Sequence, residues 1–206
     1  MSLRASAAAA VAAGIVMVLA GCGAARPVKY YSLDPPQVAP SGQPLDVSLL
    51  IGHFRAPTLY RDTRIAYRTG PNEMGLYEDH RWVEEPALMV EEMLLHTLRR
   101  SRNYKSVQLL ASNAQGDYVV RGRVENFEEV DGKPLAARVG LHVSLYDQKT
   151  GETVWSHAYQ HDEEATGNDV ASMAAALDKN LQQGILELAA GINQYLAEHP
   201  RPAEAK

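Results

Sequence analysis

The sequence predicts an α+β fold, a mostly antiparallel sheet covered by two long amphipathic helices. Three observations carry that reading. The segments Tyr118–Glu125 and Val139–Leu145 alternate apolar and polar side chains with the period of two that a half-buried strand shows. Two further segments, after Pro86 and after Asn168, repeat apolar residues at helical spacing. Asp131-Gly132 and Asp147–Gly151 supply turns between the strands. A sheet hides its apolar face only against a second layer, and two helices of this length are the right number to cover it.

A short start carrying Arg4 leads into an apolar run, Ala5 to Ala20, that closes as Leu19-Ala20-Gly21-Cys22. A basic start, an apolar segment and small residues before a cut are the parts of a secretory signal over residues 1–21. The run is shorter than the ~20 residues a membrane-spanning helix needs. Leu19–Cys22 resembles the lipobox of bacterial lipoproteins. That resemblance implies cleavage between Gly21 and Cys22, a diacylglyceryl group on the Cys22 sulfur, and an acyl chain such as palmitate on the new amine. A single acyl chain binds reversibly at about 0.8 kcal/mol per buried methylene, whereas two or three on one residue make detachment negligible. Gly23, standing where an Asp would retain the protein at the inner membrane, implies the outer membrane, periplasmic side.

Removing 21 of 206 residues leaves 185, enough for one domain with a substantial core. The signal takes one basic residue with it, so 19 Lys and Arg remain against 25 Asp and Glu, a formal charge of −6. Nucleic acid calls for a basic face and is not an expected partner. Cys22 is the only cysteine, so the mature chain forms no internal disulfide and stability rests on apolar burial.

Residues 22–29 read as an acylated tether, its span from Gly23 to Lys29 at most roughly 25 Å at ~3.3–3.6 Å per residue. The domain, residues 30–198, opens with a short strand at Tyr30-Tyr31-Ser32-Leu33, and Pro35, Pro36, Pro40 and Pro44 make the next stretch an extended connector. Leu45–Phe54 reads as a buried strand. Short extended pieces follow at Thr58–Tyr60, Arg64–Arg68 and Met74–Tyr77, the last two joined by a turn at Thr69–Asn72. Pro86 suits a first helical turn, with Ala87, Val90, Leu94 and Leu98 on one face and Arg99, Arg100 and Arg102 at the negative end. Val107–Leu110 is then a strand, and Leu45–Phe54, the helix and Val107–Leu110 form a crossover unit. After the two alternating strands comes Thr153–His161. The last helix spans Asp169–Ala197 with Asn168 as its cap, and residues 199–206 read as a disordered tail.

No phosphate loop, nucleophile elbow or cysteine nucleophile is present, so no catalytic residue is assigned and the chain is not read as an enzyme. His157 and His161 share a strand face but stand about 13 Å apart, too far for one metal ion. Glu91, Glu92 and His96 lack the second His of a helical zinc motif and read as a solvated face. No metal and no cofactor is expected. Tyr60, Tyr67, Tyr77 and Trp82, with Arg61, Arg64 and Arg81, crowd the irregular stretch before the first helix. They either complete the core or form a partner-docking surface, since Tyr, Trp and Arg are enriched at interface centres. The apolar helix stripes read as core, with self-association into a homo-oligomer as their other use.

The order of these pieces resembles the ABC-type transport auxiliary lipoprotein component family, which includes the lipoprotein of a paraquat-inducible intermembrane transport system. The matching elements are Leu19–Cys22, Tyr30–Leu33, Tyr60–Arg68, Trp82–Pro86, Asp117–Gly122 with Phe127, Val139–Leu145 with Thr150-Gly151, and the terminal helix. Val83, Glu84 and a single Pro86 depart from the small-then-acidic spacing and paired proline expected there. The resemblance implies a fold like the N-terminal domain of TolB. It also implies an auxiliary role beside an inner-membrane permease, a cytoplasmic ATPase and a periplasmic MCE-domain protein that moves lipids or apolar molecules. An outer-membrane docking adaptor follows from a short tether and an inert domain. The alternative is an envelope assembly or regulatory lipoprotein, such as an activator of a peptidoglycan synthase.

Overall fold

Strand pairing in the computed structural model decides the architecture, which it describes for residues 26–40, 44–111 and 113–201. The signal segment, Gly21, Cys22 and the first part of the tether lie outside the described residues. Eight strands form one sheet: β1 Lys29–Tyr31, β2 Leu45–Ile51, β3 Arg64–Gly70, β4 Glu73–Trp82, β5 Tyr104–Leu109, β6 Tyr118–Val130, β7 Ala136–Asp147 and β8 Thr153–Glu164. Helix α1 covers Pro86–Ser101 and helix α2 covers Val170–Glu198.

The sheet is mixed, which corrects the mostly antiparallel expectation. β1–β4, β2–β5, β2–β6 and β3–β6 run parallel, while β3–β4, β6–β7 and β7–β8 run antiparallel. The hairpin turns are legible in sequence and produce the antiparallel pairs. The parallel pairs β2–β5, β2–β6 and β3–β6 arise where α1 carries the chain back across the sheet, as the predicted crossover unit requires, whereas β1 joins β4 before the chain reaches α1. β7 pairs with β6 along its whole length, so the other edge of β6 serves two strands in succession. Residues Tyr118–Val120 bond β2, Arg123 meets Arg55, and Glu128–Val130 bond β3. β2 and β3 therefore act as one long strand interrupted by residues 52–63. That interruption includes a short 3-10 helix, Thr58–Arg61, where an extended piece is expected from sequence.

Both helices pack against the sheet and each other. Ala137, Val139, Leu141, Val143 and Leu145 of β7 are all fully buried, and α2 covers them with Met173, Leu177, Leu181, Ile185, Leu188 and Ile192. Gly184 is required there because the ring of Tyr159 lies 2.7 Å from where its Cβ would stand. Asn180, buried in the same interface, donates to Ala137 C=O and His161 C=O and accepts from the Tyr159 hydroxyl. The α2 cap is Asp169, whose carboxylate accepts from Ser172 N–H at 2.7 Å, and not Asn168. Beyond α2, residues 199–201 are held where a disordered tail is expected. Arg201 donates to Asp117 and Asp147 at 2.7 Å each and lies over the Tyr118 ring.

Candidate functional site

The stretch singled out in the sequence divides into a buried half and an open half. Trp82 is 1% exposed and packs its ring on Phe127 at 5.2 Å. Tyr60 is 4% exposed and donates its hydroxyl to Glu128 Oε2 at 2.7 Å. Both belong to the core, not to a surface. The reason is local: β6 kinks at a bulge between Val124 and Asn126, and the shift turns Phe127 inward and brings the Glu128 carboxylate under the 3-10 helix. Glu128 is fully buried, and Arg68 closes the arrangement through Nε at 2.9 Å. Burial, then Glu128, pushes the Tyr60 phenol up to about 12. Arg64 is fixed by Asp62, whose carboxyl it brings down to about 2, and Arg61 is exposed with a bond to Thr58.

The open half forms a cleft of about 1050 Å³. The β3–β4 hairpin supplies Tyr67, Leu76 and Tyr77, the end of β6 supplies Glu129, the β6–β7 turn supplies Asp131–Leu135, and the start of α2 supplies Asp169 and Val170. Arg26 also lines it. Tyr67 and Tyr77 meet at 4.9 Å between ring centroids, and Gly75 leaves the room that the Tyr67 ring takes. The Tyr77 hydroxyl donates to Glu129 Oε1 at 2.8 Å. Glu129 Oε2 is buried without a partner among the described residues. Burial pushes the Glu129 carboxyl up, the Tyr77 bond works against that, and Asp131 adds to it. Burial, then Glu129, pushes the Tyr77 phenol up in turn.

With Glu78, Asp79, Asp131 and Asp169 beside Glu129, and only Arg26 and Lys133 opposing them, the cleft is acidic. Among the described residues no His, Ser or Cys lines it. It is built to hold a group with cationic or hydrogen-bond-donating character against two aromatic rings. Glu129 is the residue that sequence reasoning misses, because nothing in its spacing shows that β3 will cover it.

The other candidates are drawn into structure. Glu91, expected on a solvated face, is buried and accepts the Phe54 N–H at 2.9 Å. Phe54 lies just past the end of β2, so its N–H has no ladder partner and the helix carboxylate takes that place. Glu92 and His96 are exposed. His157 pairs with Glu187 of α2 at 2.6 Å, and His161 lies 3.7 Å from Glu163. Among the described residues no group of His, Cys, Asp and Glu is arranged to hold a metal ion.

The family model described as the ABC-type transport auxiliary lipoprotein component matches residues 31–189. The chain belongs to that family. The matched stretch takes in every cleft residue except Arg26. As an ABC-type transport auxiliary lipoprotein component, the protein falls in a class described by transport and not by an enzymatic reaction. Protein XCC0632 of Xanthomonas campestris is similar in structure, with a TM-score of 0.73 at 22% identity over 82% of this chain and 98% of that one. An uncharacterized protein gives 0.65 at 15% identity over 81% and 99%. Hypothetical protein CT253 of Chlamydia trachomatis gives 0.52 at 8% over 75% and 99%. At these identities the likeness is one of fold. Among curated proteins none matches the chain.

Proposed function

We propose that this auxiliary lipoprotein serves an MCE-type ABC system that moves lipids or apolar molecules between the inner and outer membranes. Acylated Cys22 anchors it at the periplasmic face of the outer membrane, where it acts as a docking adaptor for the MCE-domain protein and, through it, the permease and ATPase. The family match over residues 31–189 carries the reading. The acidic, tyrosine-lined cleft supports it as the contact, with Tyr67 and Tyr77 in place of the buried Tyr60 and Trp82. A short tether and a rigid α+β domain suit a fixed docking point at one bilayer.

Co-isolation from envelopes tests this. The wild-type protein is expected to recover an MCE-domain protein with its permease and ATPase. Tyr67→Ala and Asp131→Lys, at half-buried and exposed positions of the cleft, are expected to lower that recovery while leaving the fold intact. Trp82→Ala is unsuitable as a probe, because removing a buried aromatic costs about 3–5 kcal/mol. Recovery of a peptidoglycan synthase and no MCE-domain protein would overturn the assignment.

A further inference from the structure

Large apolar side chains exposed singly on a surface need no explanation, but a gathering of them does. Among the described residues Val28, Tyr30, Val83, Leu88, Leu109 and Leu186 are the exposed ones; Val28 and Tyr30 lie at and on β1, and Val83 and Leu88 follow the end of β4 that pairs with it. Tyr30, 65% exposed, stands on β1 beside Tyr31, whose ring turns the other way toward His80 and Trp82. Val28 precedes it by two residues. Val83 is tied to the same strand, its N–H donating to Tyr31 C=O at 2.9 Å, and Leu88 follows in the first turn of α1. Behind Val83 lies a groove of about 390 Å³ lined by Leu33, Pro35, Met89 and Met93.

We propose that this corner is the surface by which the protein lies on its lipid bilayer, with Val28 and Tyr30 seated at headgroup level. The proposal rests on the acylation of Cys22. Chain length makes the argument. Arg26 is four residues from Cys22 and Val28 is six, so at ~3.3–3.6 Å per residue Val28 is within roughly 22 Å of the lipid-bearing sulfur. No rotation of the domain takes Val28 and the start of β1 out of the neighbourhood of the membrane. Its chemistry fits that position. Tyrosine rings favour the headgroup zone, apolar on one side and wet at the hydroxyl. Arg26 and Lys29, both exposed, bring positive charge within two residues of Val28, Arg26 at the rim of the cleft and Lys29 on the strand face opposite Tyr30. Glu84, Glu85 and Glu92 beside Val83 and the groove oppose deeper entry, because a carboxylate is costly to take out of water. The seat is therefore shallow.

The lone cysteine makes the test clean, since a lipid-bearing Cys22 leaves any introduced thiol unique. Acylated full-length chain carrying Val28→Cys, Tyr30→Cys or Val83→Cys is nitroxide-labelled and held in vesicles of phosphatidylethanolamine and phosphatidylglycerol. Ser156→Cys, exposed on edge strand β8, is the solvent reference. Relative to the label at 156, the ratio of relaxation by oxygen to relaxation by a nickel chelate is expected to rise several-fold at 28, 30 and 83. Labels at 28, 30 and 83 that match the one at 156 overturn the proposal. Labels shielded from both reagents overturn it in favour of a protein cover, a second copy included. Mass spectrometry of residue 22 separates these results from failure of the anchor itself, which would remove the basis of the proposal.

Discussion

Two buried polar atoms without partners among the described residues, Glu129 Oε2 and the Tyr104 hydroxyl, set the residue-scale expectations. Glu129 holds its proton more firmly in the folded chain than in the unfolded one, since burial raises its pKa above the ordinary carboxylate value near 4.5. The native state therefore binds more protons between those two values, and stability declines as pH rises through that window. Glu129→Gln removes the dependence. The variant is expected to gain on wild type as pH climbs above the ordinary carboxylate value, then to keep a constant lead once Glu129 is ionised in the folded chain. Urea midpoints across that range check it, and a lead independent of pH would refute it. Tyr77→Phe deletes the hydroxyl that bonds Glu129 Oε1 and should steepen the wild-type decline. Tyr104 presents the simpler case: its hydroxyl is buried with no partner among the described residues, and burial pushes its phenol up. Leaving a buried polar group unsatisfied costs about 1–3 kcal/mol. Tyr104→Phe should therefore stabilise the fold on that scale by guanidinium denaturation, and a destabilised variant would show that the hydroxyl has a role.

At the scale of elements, α1 ends on a strained residue. Arg102 closes the helix in the left-handed region at φ 55°, its N–H bonding Arg99 C=O, and its side chain is exposed. Glycine adopts that conformation without a Cβ penalty. Arg102→Gly is expected to raise stability by up to ~1 kcal/mol and the Tm by about 2–4 °C; a lower Tm would mean the guanidinium does more than the backbone suggests. The sequence announces such an ending with its run of arginines, yet not the strain. Much else at this scale is legible for a physical reason. β7 reads plainly because one face is buried under α2 along its whole length, so apolar residues recur without exception from Ala137 to Leu145. β4 reads only to Tyr77, because Glu78-Asp79-His80-Arg81 carries no alternation; pairing with β1 and a bulged β3 extends it to Trp82. The same kind of tertiary partner hides the roles of Glu91 and Glu129. Each is a carboxylate whose surroundings come from a segment distant in sequence, Phe54 for one and the Tyr67–Tyr77 hairpin for the other. The aromatic cluster is visible in the sequence, but its division into core and cleft depends on the bulge in β6.

The whole molecule is arranged around the point where the chain enters it. β1 is only three residues long, yet Tyr31 packs inward on Trp82, Tyr30 faces out, and Arg26 just before it lines the cleft. The proposed membrane side and the cleft are thus coupled by one short strand, and a tether from an acylated Cys22 would fix the height of both above the lipid. A docking point of this design depends on reach as well as on contact. Inserting about ten Gly and Ser residues between Gly23 and Ala24 adds roughly 17 Å of root-mean-square span ahead of the first described residue. Thermal unfolding of the variant is expected to match wild type. Binding to the MCE-domain protein in detergent should also persist, because the cleft is untouched. In intact envelopes, however, crosslinking to that partner should fall, since the domain no longer holds a set distance from its bilayer. Undiminished crosslinking would show that the protein works as a tethered ligand free to search, and that height above the membrane plays no part.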